Sequence, residues 1–217
     1  MVSWGARMRA EWMFKTFFGV LFFALIATRE FYKRKFGAFE HGVGKSARSH
    51  LAHEARILLV LRPLLALFFY TFLFAWILSA RWSRWAFLPL PVELRWSGEA
   101  LSLGSLLLLA ASYDALRKNY QDTLLLRQDH ELVATGPYSR IRHPIYLSFL
   151  LLMVSAFLLS ANWVIGLSGI ILIASVMLVR IPREEKLMRE RFGAIYQDYE
   201  ARTGRLFPPA LPWEQRD

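Results

Sequence analysis

The sequence predicts an all-helical, polytopic membrane protein with about five transmembrane helices, a C-terminal helical hairpin and a final amphipathic helix on the cytoplasmic side. Three observations carry this prediction. Over 217 residues the chain is 55% hydrophobic, with 17 Phe and 8 Trp, a richer apolar content than soluble domains usually show. Five apolar runs can be read, at about 14–28, 57–80, 100–116, 144–160 and 162–181, near the length that a bilayer core requires. Basic residues gather in alternate connections: seven Lys/Arg in 29–56, five in 117–142 and eight in 180–217, against three in 81–95.

Charge of this kind follows the positive-inside rule and places the N-terminus outside, with the C-terminus and the basic connections in the cytoplasm. Arg7, Arg9 and Lys15 oppose the N-terminal half of that placement. The same distribution accounts for the formal net charge of +10 by anionic lipid headgroups, with no nucleic-acid partner. With zero cysteines the chain has no disulfide, thiolate metal site or cysteine nucleophile, and no metal is expected. A basic face and a Cys-free chain point to a prokaryotic inner membrane, and fit a eukaryotic internal one as well.

The first run is flanked by Arg29, Lys33, Arg34 and Lys35 with no small-residue cleavage pattern after it, so it is expected to stay as a helix. Residues 30–56 form a polar loop, Gly37, Gly42 and Gly44 included, without a phosphate-binding pattern. In the second run, Arg62-Pro63 places an arginine where it can snorkel to headgroups and a proline that a membrane helix tolerates. Trp76, Trp82, Trp85 and Trp96 fall near the predicted outer boundary, as an interfacial belt would. Pro89 and Pro91 break any helix between the second and third runs. Ser102, Ser105, Ser112 and Asp114 dilute the third run, which makes it the weakest span signal and predicts burial against protein.

Residues 129–135 read as a short extended segment before the turn signal Gly136-Pro137. Pro144–Ser160 and Asn162–Val179 are uncharged runs of 17 and 18 residues, each about 26 Å long as a helix. Only a tight turn fits at Ala161, so the two helices are expected to run antiparallel. Arg142 and His143 then share a membrane face with Arg180 and Glu184. Glu185–Thr203 reads as an amphipathic helix with Leu187, Met188, Phe192, Ile195, Tyr196 and Tyr199 on its apolar side.

The polar residues at this face suit the binding of a small charged molecule. Pro144 fits a first helical turn, whose free amides favour an anion such as a carboxylate. Tyr146 lies four residues beyond Arg142 and three beyond His143, on one helical face, and Arg180 and Glu184 bear the same i,i+4 relation with Pro182 between them. A plainer account makes the arginines and His143 anchors for lipid phosphates, and Glu184 and Glu185 a solvated helix start favoured by its dipole. Convergence of two acids, two arginines, a histidine and two tyrosines at membrane depth favours function.

In the order His130-x-Leu132-Val133-x-x-Gly136-Pro137-Tyr138, Arg142-His143-Pro144-x-Tyr146, Arg180-x-x-x-Glu184-Glu185 and Phe192-Gly193-x-x-Tyr196-x-x-Tyr199, the chain resembles the isoprenylcysteine carboxyl methyltransferases and their relatives, the phospholipid N-methyltransferases. The resemblance covers about 128–209 and departs at Ser148, where the family commonly has Gly. It implies N-terminal membrane helices and a cytoplasmic loop over 1–127, a methyltransferase cofactor-binding region over 128–209 and a tail over 210–217. It further implies an S-adenosyl-L-methionine site. His130, Leu132, Val133, Gly136 and Tyr138 would surround the adenosine; His143, Pro144 and Tyr146, with Arg142, would hold the amino-acid end. Glu184 or Glu185 would accept from the ammonium. The acceptor implied is a lipophilic small molecule or lipid-linked group, with Arg180 orienting a carboxylate or a Glu of the pair acting as base for an amine or thiol. Sterol-type NADPH-dependent reductases share a similar C-terminal region but usually follow Arg-His-Pro with Asn-Tyr-Phe-Gly, where this chain has Ile145-Tyr146-Leu147-Ser148.

Overall fold

A computed structural model describes residues 4–37, 56–78, 81–117 and 131–209. Six α-helices follow one another in the described residues: α1 (Trp4–Gly37), α2 (Arg56–Ile77), α3 (Val92–Leu116), α4 (Pro144–Ser160), α5 (Trp163–Phe192) and α6 (Ala194–Arg202). Short 3₁₀ turns at Arg81–Ala86 and Gly136–Ser139 precede α3 and α4. α4 is the centre of the bundle and packs against α3, α5 and α1, while α2 packs on α5. Close approach is allowed by small residues, as membrane helix interfaces favour. A Cβ on Gly98 would stand 2.8 Å from the Leu158 Cβ, and one on Gly166 2.5 Å from the Phe157 ring.

Local sequence explains the turn between α4 and α5. α4 stops where Ala161 adopts a left-handed φ of 48°, a conformation that ends a helix. Asn162 then caps α5, its side-chain oxygen accepting from the amides of Val164 and Ile165 at 3.0 and 3.2 Å, two donors the helix cannot satisfy itself. The Leu88 amide donates to the Ala161 carbonyl at 2.7 Å, which ties the 81–90 segment to the turn. At its other end α5 runs through Pro182 without a break and stops at Gly193, whose φ is +54°.

Three described helical segments, Glu11–Lys35, Val92–Leu116 and Trp163–Phe192, are long and apolar enough to cross a membrane, and Arg62–Ile77 and Pro144–Ser160 are shorter apolar helices. The chain is an integral membrane protein. Large apolar side chains such as Phe23, Leu67, Leu107 and Leu178 point outward, up to 77% exposed, the distribution that a lipid surroundings permits and water would penalise. The third run, the weakest by sequence, extends back to Val92 and is among the long apolar helices. Its Ser102, Ser105 and Ser112 are buried, and the Ser105 hydroxyl donates to the Ser148 carbonyl of α4.

Three expectations change. Trp76 is not a belt residue: it is 8% exposed, its ring packs 5.9 Å from Phe18 and the Lys15 ammonium lies over it. Trp85 and Trp96 are exposed, and the Trp82 side chain lies outside the described residues. The final amphipathic helix does not begin at Glu185, because apolar packing along α5 carries the helix past Pro182 to Phe192. Tyr196 and Tyr199 hold the buried side of α6, while Ile195 is 67% exposed.

Candidate functional site

A cavity of about 540 Å³ opens among α1, α2, α4, α5 and the 131–138 segment, within the size range of small-molecule sites. Gly136, at φ +59°, starts the 3₁₀ turn that brings Tyr138 to the cavity, and a Cβ there would meet Ala115 at 3.3 Å. The Tyr199 hydroxyl donates to the Tyr138 carbonyl at 2.7 Å. Burial pushes the Tyr138 phenol well above its ordinary value and that of Tyr199 up to about 12, so both remain neutral donors. Leu132 and Val133 line the same wall.

His143 stands immediately before α4, with its ring between the two acids of α5. Its Nδ1 is 3.6 Å from Glu184 and its Nε2 3.2 Å from Glu185. The Tyr146 hydroxyl donates to Glu184 at 2.6 Å, and Arg180 Nε stands 3.6 Å from the same carboxylate. Glu184 lines the cavity with a partly exposed side chain. Glu185, one residue on, is 1% exposed and does not line the cavity. Arg142 Nε at 3.2 Å, Arg205 Nη2 at 2.5 Å, Arg189 Nη2 at 3.6 Å and His143 surround it. A carboxylate taken out of water is tolerated only with such compensation.

Arg142 also donates to the carbonyls of Glu200, at 3.0 Å, and Thr203. Through these bonds the stretch after α6 is drawn against the start of α4. The Arg142 and His143 amides donate to the Gly204 and Arg205 carbonyls at 2.8 and 3.1 Å, and the Gly204 amide to the Arg140 carbonyl at 3.1 Å. The amides of Arg142 and His143, which precede the first turn of α4, thus serve the backbone of 204–205. Glu185 in turn raises the Arg205 guanidinium above its ordinary value through their hydrogen bonds.

Of the residues singled out by sequence, the structure brings Leu132, Val133, Tyr138, Arg142, His143, Tyr146, Arg180 and Glu184 to the cavity wall. Gly136, Pro144 and Glu185 support that wall without lining it, and His130 lies outside the described residues. Sequence reading missed Arg205 and Thr203, which follow the last helix and carry no periodic signal. It also assigned Arg62 to the headgroups, whereas Arg62 and Arg29 line the cavity.

Fold and site together define a helical membrane protein with a carboxylate-lined cavity at one end of its central helix pair. Residues 100–190 match the model of the isoprenylcysteine carboxyl methyltransferase (ICMT) family. A stretch of 86 residues is 29% identical to Protein-S-isoprenylcysteine O-methyltransferase B of Arabidopsis thaliana, covering 40% of this chain and 42% of that protein's length. The solved structure of the eukaryotic intramembrane Ras methyltransferase ICMT is similar in fold, with a TM-score of 0.53 at 16% identity, over 87% of this chain and 66% of the other.

Proposed function

We propose that the chain is an integral membrane S-adenosyl-L-methionine-dependent methyltransferase of the isoprenylcysteine carboxyl O-methyltransferase type, acting on a lipophilic acceptor. The observation that carries the reading is the cavity wall itself: Glu184 faces the cavity beside Tyr146, His143 and Arg180, while Glu185 is turned away and saturated. One carboxylate is thus available to a ligand and its neighbour is committed to structure.

The residues present fit the cofactor. Glu184 would accept from its ammonium, His143 and Tyr146 would hold its amino-acid end, and Leu132, Val133 and Tyr138 would flank its adenosine. When bound, S-adenosyl-L-methionine supplies an electrophilic methyl group on a sulfonium. Displacement at such a carbon needs aligned reactants and exclusion of water more than a protein nucleophile. Arg180 would orient an acceptor carboxylate through its fork of donors, or Glu184 would take the proton from an amine or thiol. Tyr146, by donating to Glu184, fixes the carboxylate's direction for either task.

Five membrane crossings, an α4–α5 hairpin and a cavity mouth on the cytoplasmic side belong to the same proposal, supported by the apolar helices and the basic connections. Calorimetric binding of S-adenosylhomocysteine, with NADPH in parallel, tests it on detergent-purified wild type and on a His143→Ala, Glu184→Ala double variant. Binding of S-adenosylhomocysteine that the double variant loses is expected. Binding of NADPH alone would replace the methyltransferase with a sterol-type reductase.

A further inference from the structure

Arg205 holds His143 at two places. Its carbonyl accepts from the His143 amide at 3.1 Å, and its guanidinium takes both oxygens of Glu185, Nε donating to Oε1 at 3.1 Å and Nη2 to Oε2 at 2.5 Å. Oε1 is also the atom that the His143 ring meets, with Nε2 at 3.2 Å. A two-point grip of this kind fixes the plane of a carboxylate as well as its place. The other cations near Glu185 do less. Arg142 reaches Oε1 through Nε and directs Nη1 to the Glu200 and Thr203 carbonyls, while Arg189 stands 3.6 Å from Oε2 and pairs with Glu200 at 2.7 and 2.8 Å. The Arg205 side chain is 53% exposed and lies past the 100–190 segment that matches the family model. The turn that delivers it requires a glycine, because a Cβ on Gly204 would overlap the Phe207 carbonyl oxygen.

We propose that Arg205 is a positioning residue: by fixing Glu185 it keeps the His143 proton on Nε2 and turns a bare Nδ1 towards Glu184, so that Nδ1 and Glu184 Oε2 together receive the ammonium of the cofactor. The identity of that ligand rests on the methyltransferase reading; the tautomer does not. A neutral imidazole has one N–H and one acceptor nitrogen. Nε2, at 3.2 Å, is within hydrogen-bond reach of Glu185, and Nδ1, at 3.6 Å, is beyond such reach of Glu184, which puts the hydrogen on Nε2. Nδ1 and Oε2 then face each other as two acceptors with no hydrogen between them. The other oxygen of Glu184 already accepts from Tyr146. Two facing acceptors call for a donor from the cavity, and a primary ammonium, with its three N–H groups, serves both. Without the grip of Arg205, the Glu185 carboxylate is free to turn towards Arg142 and Arg189, and the Nε2 tautomer loses the acceptor that selects it.

Solid-state nitrogen NMR of the full chain, labelled at histidine and held in lipid bilayers, reads the tautomer, with His143 assigned by the signal lost in His143→Gln. At about pH 9, above the range in which imidazoles ordinarily titrate, wild type is expected to show His143 protonated on Nε2 alone, and Arg205→Gln a mixture of the two tautomers. A wild-type ring protonated on Nδ1, or an Nε2 signal unchanged in Arg205→Gln, would overturn the proposal. Calorimetry then compares S-adenosylhomocysteine with 5′-methylthioadenosine, which has the adenosine and the sulfur but no amino-acid end. Arg205→Gln is expected to lose roughly 3- to 10-fold in affinity for the first, as loosening one hydrogen bond implies, and none for the second. Arg205→Lys keeps the charge without the two-point grip and is expected to match Arg205→Gln. Equal losses on both ligands would mark a merely structural effect and overturn the proposal, as would full recovery in Arg205→Lys. Failure of S-adenosylhomocysteine to bind wild type would instead sink the methyltransferase reading, while NMR still decides whether Arg205 sets the His143 tautomer.

Discussion

The two ends of the α4–α5 pair handle buried charge differently. At the Ser160 end, Arg95 of α3 is 5% exposed, donates from Nε and Nη2 to the Leu159 carbonyl at 3.1 and 2.5 Å, pairs with Glu11 and lies under the Phe14 ring. Asn162 closes the turn, and each of these polar groups meets protein. At the Pro144 end, one acid is closed in the same manner and the next is not. Glu185 is enclosed by Arg142, His143 and Arg205, while Glu184 keeps one side on the cavity. A finished structural end and an end left open to a ligand differ by one carboxylate.

Substitutions should separate the two. The largest effect is expected for Glu185→Ala, which strips four cationic or basic partners, Arg142, His143, Arg189 and Arg205, of their shared acid. Breaking a buried pair from one side costs about 3–5 kcal/mol, enough to lower the thermal midpoint of the detergent-solubilised protein steeply. Survival of the fold with an unchanged midpoint would remove the structural role given to Glu185. Next comes Arg95→Met at the closed end, where the Leu159 carbonyl and Glu11 lose their donor. A cost of about 2–3 kcal/mol in unfolding is expected, with S-adenosylhomocysteine affinity unchanged because the cavity lies at the other end.

Glu184→Gln should act the other way round. Its midpoint should move little, yet S-adenosylhomocysteine affinity should fall about 10-fold or more, the worth of one charge-assisted hydrogen bond. A variant that binds as tightly as wild type would take the ammonium away from Glu184. The smallest effect is a pH dependence. Burial raises Tyr199 from 10.0 to about 12, so its contribution to stability is fully present below pH 10 and is lost as pH rises towards 12. Midpoints measured from pH 9 upward should fall more steeply for wild type than for Tyr199→Phe; parallel curves would contradict the assignment.

Much of this was legible in the sequence, and the parts that were not share a cause. Apolar runs announced the helices, because length and hydropathy are properties of consecutive residues. The Arg180–Glu184 relation was legible because four residues make about one helical turn. Trp76 was misplaced because depth along a helix says nothing about which side faces lipid, and its side faces Phe18. Arg205 was missed because its partner, Glu185, is 20 residues away and reached only after α6 turns back on the site.

The sequence alone therefore determined an apolar helical chain, the basic connections, the turn at Ala161-Asn162 and a set of polar residues near one mouth, all of which depend on local spacing. Tertiary structure alone decided which of the adjacent acids meets the cavity. Neighbouring residues on a helix point about 100° apart, so Glu184 and Glu185 had to face different surroundings. Which of the two directions holds Arg142, His143 and Arg205, and which holds open space, is set by how α4 and the 203–205 stretch pack against α5, a relation between segments distant in sequence.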